Sequence, residues 1–137
     1  MLRVERACME KTCAAPLRTI ILVEDDPSTR ALIQTWLDTE GYGVRTASNG
    51  REALTLLQEE APSVMVVDLN MPVMDGAELR RQQLRIPSLS SIPFILVSAA
   101  DDAARIAIEL GIDEVILKPF DADRLLDVLA TYCDGCR

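Results

Sequence analysis

The sequence predicts an α/β fold built on one doubly wound, parallel sheet of five strands, and three observations carry that expectation. Five short strand-length segments recur along the chain, most of them apolar runs like the one from Val64, which has the character of a strand buried on both faces. Segments with apolar residues at helical spacing separate them, so successive strands are joined by helical crossovers and run parallel. Four of the five segments stop at Glu24-Asp25-Asp26, Asp68, Ser98 and Lys118.

Taken in order, residues 1–18 are mixed and unpatterned, with Cys8, Cys13 and Pro16, and read as an N-terminal extension. Thr19 to Val23 is the first strand. It ends in Glu24-Asp25-Asp26, and Pro27 follows at a first helical position, where its missing N–H costs nothing. Leu32, Ile33, Trp36 and Leu37 give that helix its inner stripe, with Trp36 read as core, and Gly41 stops it. Val44 to Ala47 is a short second strand. Asn49 with Glu52 three residues on forms a capping box that opens a helix carrying Ala53, Leu54, Leu56 and Leu57 inward, and Pro62 closes the segment.

Val64 to Val67 is the third strand, with Asp68 at its C-terminal tip. Asp75 is placed to cap a helix from Gly76 to about Leu84, and Arg85 to Ser91 is a polar connection. Phe94 to Val97 is the fourth strand, ending at Ser98. A helix from about Asp102 to Leu110 follows, stopped by Gly111, and it is apolar enough that part of its surface is expected to face a partner. Val115 to Leu117 is the fifth strand, ending at Lys118-Pro119. The last helix, about Asp121 to Tyr132, carries Leu125, Leu126, Val128 and Leu129. Residues 19–132 thus form one domain, and 133–137 a C-terminal tail.

Composition narrows the functions. The chain has 137 residues, 49% of them hydrophobic, enough for one real core and too few for a second folded module. The net charge of −8, from 22 acids against 14 bases, argues against a nucleic-acid surface and favours an acidic metal site. No run approaches a membrane span and residues 1–18 lack the apolar segment of a signal peptide, so a cytoplasmic location is expected. Histidine is absent, which excludes Ser-His-Asp and Cys-His machinery and any His-ligated metal. The four cysteines, Cys8, Cys13, Cys133 and Cys136, all lie near the chain ends; they read as inert thiols in preference to a four-thiolate zinc site or a redox pair.

Right-handed crossovers leave few ways to order five parallel strands. The flavodoxin-like order 2-1-3-4-5 puts strands one and three side by side, with a crevice at that switch point. All C-terminal strand ends then share one edge, which gathers Asp25, Asp26, Asp68, Ser98 and Lys118. Three carboxylates there repel, at about 5 Å and an effective dielectric of about 20, by roughly 3 kcal/mol per pair. Lys118 supplies one positive charge and a hard divalent cation the rest, Mg²⁺ being the ion suited to a few carboxylates plus water. Asp26 and Asp68 are the expected direct ligands, with the Asn70 main-chain carbonyl as a third and Asp25 acting through water. Carboxylate, Mg²⁺, lysine and hydroxyl together are the parts of phosphoryl transfer. Asp68 is the expected nucleophile, Lys118 neutralises the phosphoryl oxygens, and Ser98 donates a hydrogen bond to one of them. With no histidine base, the donor must arrive activated.

Across about residues 19–132 the chain resembles the receiver domains of two-component response regulators. Leu22-Val23-Glu24-Asp25-Asp26, the loop from Asp68 to Gly76, Ser98-Ala99 and Lys118-Pro119-Phe120 carry that resemblance. It implies phosphorylation of Asp68 by a histidine kinase or histidine phosphotransfer protein and Mg²⁺ dependence. It also implies self-catalysed hydrolysis in place of turnover as an enzyme, a cis Lys118-Pro119 bond, and a shift of the helix-four, strand-five, helix-five face toward a downstream protein or a phosphorylation-dependent dimer. No nucleic acid or membrane is a direct partner in this reading, and a relay role is the alternative. The chain departs from the family at Val115, three residues before the lysine, where Tyr or Phe is usual. A Mg²⁺-dependent phosphatase is disfavoured because Asn70 stands where such enzymes need an acid. The length leaves a stand-alone regulator and a receiver cut from a larger protein equally open.

Overall fold

A computed structural model describes residues 18–133. Five strands alternate with five helices: β1 (Thr19–Val23), α1 (Pro27–Thr39), β2 (Gly43–Ala47), α2 (Gly50–Glu59), β3 (Val64–Asp68), α3 (Gly76–Leu84), β4 (Phe94–Ser98), α4 (Ala103–Leu110), β5 (Glu114–Leu117) and α5 (Ala122–Cys133). The strands form one parallel sheet in the order β2-β1-β3-β4-β5, the flavodoxin-like order expected from the sequence.

The sheet divides the core in two. Ile21, Val23, Met65, Val67, Phe94 and Leu96 point to the side covered by α2, α3 and α4. Ile20, Leu22, Val64, Val66, Ile95 and Val97 point to the side covered by α1 and α5. Central strands β1, β3 and β4 are buried on both faces, and each fully buried aliphatic side chain stabilises the fold by about 1.5–3 kcal/mol. The edge strand β2 is only half-buried; its Arg45 guanidinium donates to the carbonyls of Leu56 and Glu60 and so satisfies the C-terminal end of α2.

Helix boundaries follow the predicted caps closely. Asn49 accepts from the Glu52 N–H at 2.9 Å while the Glu52 carboxylate accepts from the Ser48 N–H at 2.8 Å, and Asp75 and Asp121 cap α3 and α5 through Glu78 and Arg124. One expectation fails on α1. Its buried stripe is Ile33 and Leu37, with half-buried Trp36 packed against the same core, whereas Leu32 is 52% exposed. Leu32 is rotated about 100° from Ile33 and overlooks an open cleft instead of the sheet. Trp36 packs edge-on against Phe120, with ring centroids 6.2 Å apart. Cys133 is buried at the end of α5; Cys8, Cys13 and Cys136 lie outside the described residues.

Candidate functional site

Because the strands are parallel and in register, the ends of β1, β3, β4 and β5 open onto one edge. Asp68 is the last residue of β3 and is buried. Its main chain is held tightly: the Leu69 N–H donates to the Val97 carbonyl at 3.1 Å, and the Gly76 N–H returns to the Leu69 carbonyl at 2.9 Å. A Cβ on Gly76 would stand 2.7 Å from the Asp68 carbonyl oxygen, so only glycine lets the start of α3 close over this strand end. Across the loop the Gly50 N–H donates to the Met74 carbonyl at 2.9 Å, locking the segment to the start of α2.

Oxygens of Glu24, Asp25 and Asp68 converge to within 4.8 Å of one another. The Lys118 ammonium sits against two of them, 3.1 Å from Glu24 and 3.3 Å from Asp68. Burial alone pushes the Lys118 ammonium down, but the charges of Asp68 and Glu24 outweigh it and hold it above the usual lysine value. Glu24 is raised above the ordinary glutamate range, first by burial and then by the neighbouring Asp68 charge, against the opposing pull of the Asp26 N–H and Lys118.

The acids therefore differ from the expected set. Asp26, expected as a direct ligand, lies at the exposed N-cap of α1, where its carboxylate accepts from the Thr29 N–H at 2.8 Å and the Thr29 hydroxyl at 2.7 Å. Those two bonds lower it below the ordinary aspartate range. Glu24, passed over in the sequence, takes the place in the cluster. The missed signal was local: Asp26-Pro27-Ser28-Thr29 is a complete helix start, so its carboxylate was already committed to the Thr29 amide. Asp25 is the exposed member of the cluster, and Asn70 is exposed just past β3. Ser98 ends β4, buried, with its hydroxyl accepting from the Ala100 N–H at 2.9 Å and its carbonyl accepting from the Lys118 N–H at 2.9 Å. Lys118-Pro119 is cis.

The donor set suits a small hard cation. Oxygens on opposite sides of a Mg²⁺ octahedron stand about 4.2 Å apart, so three carboxylates within 4.8 Å need only close slightly or admit water. The Asp68 carboxylate, the Lys118 ammonium beside it and the Ser98 hydroxyl on the next strand all stand at or one residue past strand ends.

The model of the response regulator receiver domain family matches residues 20–130. The chain belongs to that family. As a receiver domain it is 36% identical over 116 residues to a 14.6 kDa protein of Leptolyngbya boryana, covering 83% of this chain and 88% of that one. It is 37% identical over 111 residues to the transcriptional regulatory protein GltR of Pseudomonas aeruginosa, covering 80% of this chain and 46% of that protein. The receiver spans less than half the length of the transcriptional regulators it matches. Among solved structures it resembles the chemotaxis response regulator CheY4 of Vibrio cholerae, with a TM-score of 0.80 at 28% identity, covering 85% of this chain and 99% of that chain. The receiver domain of a histidine kinase from Syntrophus aciditrophicus gives a TM-score of 0.80 at 31% identity, covering 87% and 92%.

Proposed function

We propose that this receiver domain accepts a phosphoryl group on Asp68 from a histidine kinase or histidine phosphotransfer protein, with Mg²⁺ held by Glu24, Asp25 and Asp68. The observation that carries the reading is the Lys118 ammonium bridging Glu24 and Asp68 beside a three-carboxylate cluster on the sheet edge. An Asp68 carboxylate oxygen attacks phosphorus, the bond from phosphorus to the donor's imidazole nitrogen breaks, and the electron pair leaves with the donor. No base is needed, since the nucleophile carries no proton. Lys118 moves from carboxylate to phosphoryl oxygen and offsets charge there. When bound, Mg²⁺ supplies Lewis-acid neutralisation of the transferred group. The Asn70 carbonyl completes the set of protein ligands in this reading.

The donor approaches over the cleft between α1 and the loop after β5, a cavity of about 410 Å³ walled by Leu32, Trp36 and Phe120 with Lys118 at its inner end. Apolar walls, exposed at Leu32 and half-buried at Trp36 and Phe120, supply the contact that a phosphodonor protein needs to hold its imidazole in line. Once phosphorylated, Ser98 turns from the Ala100 N–H to a phosphoryl oxygen, loosening the segment that leads into α4. That change reaches the α4, β5 and α5 face, where Ile108 and Leu117 are 82% and 62% exposed. Val115 is half-buried on β5 opposite Leu96, so output runs through the backbone and α4 instead of an aromatic side chain.

Incubation with a small acyl phosphate and Mg²⁺, followed by intact mass, tests the acceptor. A single phosphoryl adduct is expected, labile to hydroxylamine and absent in Asp68→Asn or with chelator. Labelling that persists in Asp68→Asn, or proceeds undiminished without Mg²⁺, overturns the assignment.

A further inference from the structure

The inner face of α3 carries two polar residues where other helices place aliphatic ones: Arg80 is 5% exposed and Gln83 0%. A buried guanidinium is costly unless its donors are met. Here Nε donates to the Leu110 carbonyl at 3.0 Å, Nη2 to the Gly111 carbonyl at 2.5 Å and Nη1 to the Gln83 Oε1 at 2.9 Å. Its flat face lies 5.5 Å over the centre of the Phe94 ring. Gln83 in turn donates to the Leu89 and Ile92 carbonyls, both at 2.9 Å, anchoring the connection into β4. Leu110 and Gly111 are the last residue and the C-cap of α4, so a cation from α3 satisfies the carbonyl end of a neighbouring helix, where the helix dipole favours it.

The other end of α4 packs on the core through Ala103 and has no comparable side-chain hydrogen bonding. Asp102, at the N-cap, makes no side-chain bond to the helix amides, and its carboxylate instead pairs with Arg105 at 3.0 Å. That loose end follows directly on Ser98, Ala99 and Ala100. From this asymmetry we infer that Arg80 makes the C-terminal end of α4 a fixed pivot, so that α4 responds to the acceptor site by swinging its N-terminal end while Leu110 and Gly111 stay docked on α3. The swing rests on the acceptor reading above; the pivot is a property of the unphosphorylated fold. Arg80 acts as a positioning residue and touches no reacting group.

Amide hydrogen exchange by NMR tests both parts. In the unphosphorylated protein, Arg80→Leu, and the double variant with Gln83→Leu that refills the site with apolar volume, are expected to speed exchange about tenfold or more at Gly111 and Ile112. Central sheet amides such as Val66 and Ile95 and the Ile106 amide should stay within about threefold. Arg80→Lys, with one ammonium in place of a fork, should fall between. Uniform acceleration at Ile106 and Ile112, once scaled to the sheet amides, overturns the pivot, as does no change at Gly111 and Ile112. In parent protein carrying the verified mass adduct on Asp68, shifts and exchange changes along α4 and its flanks should be larger at residues 99–106 than at 110–112, and should spread through 112 in Arg80→Leu. Changes in the parent as large at 110–112 as at 99–106 overturn the swing. If no adduct forms, the acceptor reading fails separately, and the unphosphorylated comparison still decides the pivot.

Discussion

Replacing Lys118 by Met removes the one ammonium that touches both buried carboxylates, and the structure sets the size of the effect. At an effective dielectric of about 20, the contacts at 3.1 and 3.3 Å amount to roughly 5 kcal/mol each before desolvation is returned. Breaking a buried pair costs about 3–5 kcal/mol in practice, and the 27% exposure of the Lys118 side chain places the loss near the lower figure. For a domain of this size about 3 kcal/mol lowers Tm by roughly 12 °C. The loss is pH-dependent with a defined sign. Glu24 keeps its proton to higher pH in the folded state than an unfolded glutamate near 4.5, so its stabilising contribution is present below 4.5 and lost as pH rises through its folded value. Lys118 is one of the influences holding that value down; without it Glu24 rises further and more stability is lost toward neutral pH. Thermal melts of parent and variant in chelator-treated buffer should differ least at pH 4.5 and separate steadily to pH 7.5, and Mg²⁺ should restore part of the difference by neutralising the same carboxylates. A Tm gap below about 3 °C at pH 7.5, or one independent of pH, would falsify this account of the site's electrostatics.

Three further outcomes follow from single distances and angles. Asparagine caps a helix as well as aspartate, so Asp26→Asn should leave Mg²⁺ affinity within about threefold in a Trp36 fluorescence titration, while Glu24→Gln weakens it about tenfold or more; the reverse ranking would return Asp26 to the ligand set. Gly76→Ala puts a methyl 2.7 Å from the Asp68 carbonyl oxygen and 3.1 Å from the Leu69 Cα, so it should destabilise by about 1–3 kcal/mol and slow labelling of Asp68, as read by urea midpoints and the mass assay. Val73 has φ 69°, with the Met74 N–H donating to the Pro72 carbonyl at 2.7 Å, a γ-turn of the strained hand at a β-branched residue. Val73→Gly should therefore raise stability by about 1 kcal/mol, the released strain of about 1–3 kcal/mol exceeding glycine's entropic cost, and an unchanged or lower urea midpoint would refute it.

Most of the fold was legible because its signals were local and mutually consistent. Apolar runs of strand length, Pro27 at a helix start, caps at Asn49 and Asp75, and Gly41 and Gly111 at helix ends each fixed a boundary to within a residue or two. What the sequence hid was anything decided by which side of a helix faces what. Leu32 matches the apolar period of α1, yet the cleft beside Phe120 leaves it in solvent. Nothing local marks Arg80 and Gln83 for burial, and only tertiary packing shows that α3 turns them toward the end of α4 and the connection into β4.

The acid run after β1 shows how narrow the margin is at the site itself. Glu24, Asp25 and Asp26 have the same chemistry in one dimension, and choosing a pair among them depends on where the strand stops being a strand. The Glu24 N–H still donates to the Ala47 carbonyl at 3.1 Å, extending the β1 pairing with β2 one residue past Val23, so Glu24 keeps the geometry of the sheet edge and reaches Lys118. Two residues later the chain has turned, and Asp26 faces the amide of Thr29. The Arg30 guanidinium fixes that turn by donating to the Glu24 carbonyl at 2.8 Å. Membership of the acidic cluster at this edge is therefore specified by the last hydrogen bond of a parallel ladder, and the same bond separates the carboxylate that meets Lys118 from the one that caps α1.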